Sequence, residues 1–330
     1  MNKIFQYDVV IVGAGPIGIA CALACNQQNL NFLVIEKGCL VNSIYNYPQQ
    51  MTFFSTAEKL EVGNIPFVCI QAKPNRNESL EYYRRVSKVA NLNIHLFEEV
   101  VNINSNHIDE GQPQYEIKTS KSTYLSKNII IATGFHDIPY LLNVPGENLP
   151  KVTHYYKDPH FYAFQNVAII GANNSAVDAA LETWRKGANV TMIIQNEEIG
   201  QRVKYWARPD IINRIEEGSI KAYYNASVIS ITENNIIING PDGMIEIPND
   251  WVIAATGYQP NLSFLEKIGI ELSNDEIKKP IYNPETHESN KQGIYLAGVI
   301  CGGMNTHSLF IENSIVHADM IVNDIVRKQK

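Results

Sequence analysis

The chain of 330 residues has only five cysteines, Cys21, Cys25, Cys39, Cys69 and Cys301, and no two form a Cys-x-x-Cys pair or a metal-ligand spacing with histidine. A contiguous dithiol motif and a structural zinc site are thereby excluded, and no metal is expected. An odd number of scattered thiols fits a reducing, cytoplasmic setting better than a disulfide scaffold. Positive charge is also scarce. There are 27 Lys and Arg against 34 Asp and Glu, a net charge of −7, with no basic footprint for nucleic acid. No apolar run reaches the ~18 residues of a membrane-spanning helix. The stretch ending at Cys25 is broken by a glycine turn and followed by no cleavage site, so neither a membrane nor an export segment is expected. Low-complexity segments are absent. The length leaves room for two domains, each with its own core.

What is present begins at residue 7. Tyr7–Val12 is a β-branched run of the kind buried on both faces of a sheet. Gly13-Ala14-Gly15-Pro16-Ile17-Gly18 forms a turn, Ile17–Gln27 has the composition of a helix, and Asn31–Ile35 is a second buried strand ending in Glu36. The acid stands 23 positions beyond Gly13 (36 − 13). A β-α-β unit of this layout is the context that a glycine-rich dinucleotide fingerprint requires.

The layout recurs. Asn166–Ile170 reads as a strand, Gly171-Ala-Asn-Asn-Ser-Ala176 as the turn, Val177–Lys186 as a helix and Asn189–Ile194 as the second strand. Asn173 and Ala176 stand where the first repeat has its second and third glycines. Ala is commonly allowed at the third position, and Asn tolerates the positive φ expected at the second. A shorter element is also doubled: 129–135 and 252–258 each end an apolar strand in Ala-Thr-Gly followed by an aromatic residue. Between the repeats, 142–160 is rich in Pro, Gly and polar residues and is predicted to be a crossover linker.

The two turns differ where ribose recognition is decided. Glu36 can accept hydrogen bonds from both ribose hydroxyls and repels a 2′-phosphate, as FAD or NAD requires. Pyrophosphate would rest on backbone N–H groups near Gly15–Ile17 at the helix N-terminus. Counting 24 from Gly171 reaches the neutral Gln195, and Arg202, Lys204 and Arg208 follow, so NADPH is expected there. The second set of nucleotide residues is Gly171, Asn173, Asn174, Ser175, Ala176, Gln195, Arg202, Lys204 and Gly257. Two dinucleotide sites of opposite ribose preference point to NADPH reducing FAD, a hydride transfer that needs no catalytic triad. The histidines are scattered, His287 and His317 among them, and are expected to be surface or packing residues. His136, directly after Ala-Thr-Gly-Phe, is a candidate lining residue.

These residues resemble the low-molecular-weight thioredoxin-reductase-like flavoproteins over nearly the full chain. The resemblance implies an α/β fold of two Rossmann-like domains, the NADPH domain (146–257) inserted into a discontinuous FAD domain (1–145 and 258–330). Segments 36–67, 140–156, 174–182 and 310–314 are similar to the YpdA-type bacillithiol disulfide, or bacilliredoxin, reductases. That likeness implies FAD held by Gly13, Gly15, Gly18, Glu36, Lys37, Asn42, Ser43, Tyr47, Thr52, Thr133, Gly134, Gly298 and Val299, with adenine against the backbone near Val100. It also implies a homodimer or higher homo-oligomer.

Three departures bear on mechanism. Residues 152–165 hold no cysteine where a thioredoxin reductase carries its dithiol, and Val299 replaces an aspartate, a change the YpdA group shares. Ile17 stands where YpdA-type proteins typically carry a cysteine, whose thiolate the helix dipole would favour. Cys301 is the substitute candidate, against the plainer reading of a packed thiol. The leading expectation is an NADPH-dependent FAD oxidoreductase acting on a bacilliredoxin or bacillithiol disulfide. Its rivals are a reductase of ferredoxin or flavodoxin, and a non-catalytic NAD(P)H-sensing flavoprotein.

Overall fold

The computed structural model describes residues 5–107 and 113–329. They divide into two compact units: one holds the chain up to Tyr45, Ser55–Ile138 and Gln259–Lys330, the other Asn46–Phe54 and Pro139–Tyr258.

In the first unit, strand β1 (Phe5–Val12) is flanked on both sides by parallel partners, so Val9–Val12 are all buried. Helix α1 (Pro16–Gln27) starts with proline at its first position, where the missing N–H costs nothing. Every residue from Gly18 to Cys25 is buried, so α1 is apolar all round and not along one stripe. Strand β2 (Phe32–Ile35) is followed by the short helix α2 (Asn42–Tyr45) and by α3 (Arg76–Val89). In α3 the side chains of Asn75 and Glu78 cap each other's backbone N–H. Strands β3 (Ile94–His95), β4 (Val100–His107), β5 (Pro113–Thr119) and β6 (Thr123–Ile131) complete a sheet ordered β3-β2-β1-β6-β5-β4. The strand Ile294–Leu296 returns late in the chain to pair with β6.

The second unit repeats the design with five parallel strands. Their order is Lys221–Tyr223, Asn189–Ile193, Asn166–Ile170, Trp251–Ala254 and Val152–Thr153. Helix α4 (Asn174–Arg185) buries Val177, Ala180 and Leu181 against the sheet core. An antiparallel sheet of Ser227–Ile231, Asn235–Gly240 and Gly243–Pro248 packs through Ile231, Ile236 and Ile238 onto a second core.

Two expectations need correction. Residues 142–160 are not a bare linker: Val152–Thr153 is an edge strand, and Leu142, Val144 and Leu149 pack on the second unit's core. Helix α4 starts at Asn174 and not at Val177, because Asn174, Ser175 and Ala176 form its first turn.

Candidate functional site

Strand register builds the first site. Val12 pairs with Ile35 and with Ile131, and Ile131 pairs with Leu296. The residues that follow, Gly13, Glu36, Ala132 and Ala297, therefore emerge together at the carboxyl edge of the sheet, where open α/β sheets bind ligands. Three N–H donations knit that edge: Gly13 to Ile35 O (2.8 Å), Ala132 to Val12 O (2.8 Å) and Ala297 to Ile131 O (2.9 Å).

The second unit reproduces the pattern. Gly171 donates to Ile193 O (3.0 Å) and Ala255 to Ile170 O (2.9 Å). A Cβ on Gly13 would lie 2.5 Å from Ala132 O, and one on Gly171 would lie 2.7 Å from Ala255 O. Each first glycine thus meets the alanine of an Ala-Thr-Gly motif, which explains why the two motifs occur together. These first glycines carry the left-handed backbone, φ +107° and +127°. The second positions do not: Gly15 has φ −72° and Asn173 φ −98°. The positive φ expected of Asn173 is corrected accordingly, since any residue adopts the extended conformation it has.

The first edge fits a dinucleotide. A Cβ at Gly15 or Gly134 would meet nothing within 4 Å, and no side chain caps α1. Glu36 is buried, with Oε2 accepting from Ala14 N–H and Oε1 from Gly38 N–H, both at 2.8 Å. Burial raises its pKa against the opposing pull of those two N–H groups. Each oxygen keeps a lone pair for a ribose hydroxyl. Lys37 pairs with Asp137 at 2.9 Å, tying the Glu36 turn to the segment after Gly134. Val41 N–H donates to Ala14 O (3.0 Å), bringing Asn42 and Ser43 beside the glycine turn. Phe97 and Glu98 donate to the carbonyls of Gly38 and Glu36, which draws the chain leading to Val100 onto that loop. Gly298 lies against the Ile17 side chain, 3.3 Å from where a Cβ would stand. Tyr47 and Thr52 are not brought to this edge by the first unit's own packing. They belong to Asn46–Phe54, fastened to the second unit where Gln49 N–H donates to Lys157 O (2.8 Å).

At the second edge the asparagines hold a loop. Asn174 Oδ1 accepts from Lys204 N–H (2.8 Å), and its Nδ2 donates to Arg202 O (3.1 Å). Asn173 folds against Gly200, where a Cβ would stand 2.3 Å from Oδ1. Ser175 and Gln195 are exposed, Ala176 is buried, and Gly257 N, Cα and C adopt φ +91°. Lys204 is buried and its Nζ is 2.6 Å from Asp178 Oδ2, so its charge is already matched within the unit. Arg208 is likewise paired with Glu198. Arg202 is exposed and joins no salt bridge among the described residues. Beside α4 lies a cavity of about 210 Å³ lined by Thr52, Asp178, Glu182, Arg185, Lys204 and Trp206.

None of the five thiols is poised as a nucleophile. Burial pushes Cys25 and Cys301 up to about 12, and raises Cys21, Cys39 and Cys69 as well. Cys301 sits in the apolar core with His287 Nδ1 at 3.7 Å, the packed thiol of the plainer reading. His136 is buried and held down at about 4, a neutral ring at pH 7. His287 and His317, scattered in sequence, pack with ring centroids 3.9 Å apart and planes tilted by 37°.

Residues 10–298 match the family described as Pyridine nucleotide-disulphide oxidoreductase. The chain belongs to that family. It is similar to "Bacilliredoxin reductase Bdr" of Bacillus subtilis (strain 168), with 42% identity covering 98% of this chain and 99% of the relative. Two solved structures share the fold over almost their whole length. "Bacillithiol Disulfide Reductase Bdr (YpdA)" from Staphylococcus aureus has 38% identity and TM-score 0.94, covering 99% of this chain and 100% of that one. The same-named enzyme from Bacillus cereus has 40% identity and TM-score 0.92, covering 98% and 99%.

The expected likeness to YpdA-type reductases is thus borne out, as is the α/β, thioredoxin-reductase-like fold. As a pyridine nucleotide-disulphide oxidoreductase the chain is an enzyme that uses FAD and NAD(P)H. Among the described residues, no helix is long and apolar enough to cross a membrane. Sequence reasoning missed Asp178 and the His287–His317 contact. Their partners lie 26 and 30 residues away (204 − 178 and 317 − 287), beyond any local motif.

Proposed function

We propose that the chain is an NADPH-dependent FAD oxidoreductase that reduces a disulfide of the bacilliredoxin or bacillithiol class. The observation that carries this reading is the duplicated sheet edge, acidic in one copy at Glu36 and neutral in the other at Gln195. In the proposal the first unit holds FAD and the second holds NADPH. Backbone N–H groups at the start of α1 take the pyrophosphate, Glu36 the ribose, and the turns at Gly134 and Gly298 admit the isoalloxazine. Arg202 takes the 2′-phosphate, while Lys204 braces the loop through Asp178.

FAD supplies the two-electron link between nucleotide and disulfide. The balance is NADPH + H⁺ + RSSR → NADP⁺ + 2 RSH, the second proton coming from solvent. With Ile17 in the glycine turn and every cysteine protonated, electrons reach the acceptor without a chain thiol. The reading places the enzyme in the cytoplasm as a homo-oligomer, which size-exclusion chromatography with light scattering checks.

The deciding experiment is anaerobic reduction of the purified flavoprotein by NADPH. Bacillithiol disulfide, a disulfide bacilliredoxin, ferredoxin and flavodoxin are then added in parallel. Reoxidation by the first two supports the proposal. Reoxidation by ferredoxin or flavodoxin alone favours the single-electron reductase, a reading that the lack of any thiolate also accommodates. A flavin that stays yellow under saturating NADPH marks a sensor.

A further inference from the structure

Behind the Gly298 turn lies a buried pair of histidines that no nucleotide motif accounts for. His317, on the helix Val316–Lys328, accepts the Gly298 N–H at Nδ1 (3.1 Å), so its own proton resides on Nε2. His287 stands 3.0 Å from Leu296 O through Nδ1. A carbonyl only accepts, so that nitrogen donates, and the two rings hold opposite tautomers. His287 stacks on Tyr282, with centroids 5.1 Å apart, and packs against the tilted ring of His317. Together the rings grip both ends of the segment 296–298, which leads from the sheet edge into the turn. Cys301 completes a group whose donor atoms lie within 4.8 Å of one another. The Nδ1 atom of each ring is engaged by the backbone.

We propose that His317 is a positioning residue, whose neutral ring fixes the Gly298 turn in the shape that receives the flavin. This rests on the reading of the first unit as the FAD site. Gly298 has φ +81° and Ile17 against it, so the turn has little freedom once its N–H is anchored. Without an acceptor, that buried N–H must find another partner by moving the turn. Burial, and then the neighbouring His287, hold His317 down at about 4, which keeps the accepting lone pair available at neutral pH.

The test compares His317→Phe, which keeps a ring against His287 but no acceptor, with His317→Asn, whose Oδ1 stands near the lost Nδ1. Two readouts are taken on the purified protein: hydrogen exchange at the Gly298 amide, and the dissociation constant for added FAD. The expected result is loss of exchange protection in His317→Phe with FAD bound about tenfold more weakly, about 1.4 kcal/mol. His317→Asn restores protection and brings affinity to within about threefold of wild type. Protection retained in His317→Phe overturns the proposal, as does a folded His317→Asn that behaves like His317→Phe. Protection lost with unchanged FAD affinity overturns it while leaving the FAD site intact. A wild-type protein that binds no FAD overturns the functional reading itself, and the proposal falls with it.

Discussion

Gly13 and Ala132 approach so closely that a single methyl group on the glycine would stand 2.5 Å from the alanine carbonyl oxygen. The contact recurs between Gly171 and Ala255 at 2.7 Å. Gly13→Ala and Gly171→Ala each force a side chain into both a clash and a φ that L-residues avoid, at a cost of about 1–3 kcal/mol. Gly13→Ala is expected to purify with less FAD. Gly171→Ala is expected to keep its flavin but to be reduced slowly by NADPH, followed by stopped-flow absorbance of the flavin. Equal loss of flavin from both variants would contradict separate sites.

Nucleotide choice should reside in Arg202 and not in Lys204. Arg202→Ala is expected to raise KM for NADPH about tenfold and to leave KM for NADH unchanged. Lys204→Met abandons Asp178 in a mostly buried position and should lower stability by about 3 kcal/mol with no shift in the NADPH-to-NADH ratio. Urea denaturation and paired KM measurements separate the two.

Acid should destabilise the fold through its buried imidazoles. His136 and His317 titrate at about 4 in the folded chain, mainly because of burial, against 6.5 when unperturbed. Between these values the unfolded chain binds more protons, so stability falls as pH falls from about 6.5 towards 4. Each ring contributes about 2 kcal/mol of loss between pH 7 and pH 5. Urea midpoints over this range should drop steeply in the wild type and less steeply in His317→Asn.

Restoring a thiol to the glycine turn tests what Ile17 leaves out. Ile17→Cys sits in the first turn of α1, where no side chain caps the helix and no acid lies nearby in the turn. Its thiol is expected to titrate below the ordinary ~8.5 and to be alkylated by iodoacetamide at pH 7 far faster than any native cysteine. Cys301→Ser, in contrast, is expected to leave disulfide turnover unchanged.

The parts of this protein visible in its sequence are those set by short-range periodicity. Val9–Val12 and Asn166–Ile170 read as buried strands because both faces are covered, and Glu36 is found by counting from Gly13. The linker reading of 142–160 failed because Leu142 and Val144 sit in a polar stretch whose apolar minority does the packing. Lys204 looked available because its partner, Asp178, is one helix turn into α4 and carries no motif. His287 and His317 are held by Leu296 and Gly298, at and just beyond the late strand Ile294–Leu296 that joins β6, a pairing that depends on the whole sheet.

The uniformly raised thiols have a consequence for durability. Peroxides and electrophiles attack thiolate sulfur, and this chain offers them protonated sulfur at every cysteine. Mass spectrometry after hydrogen peroxide treatment should find the wild type unsulfenylated under conditions that oxidise Ile17→Cys.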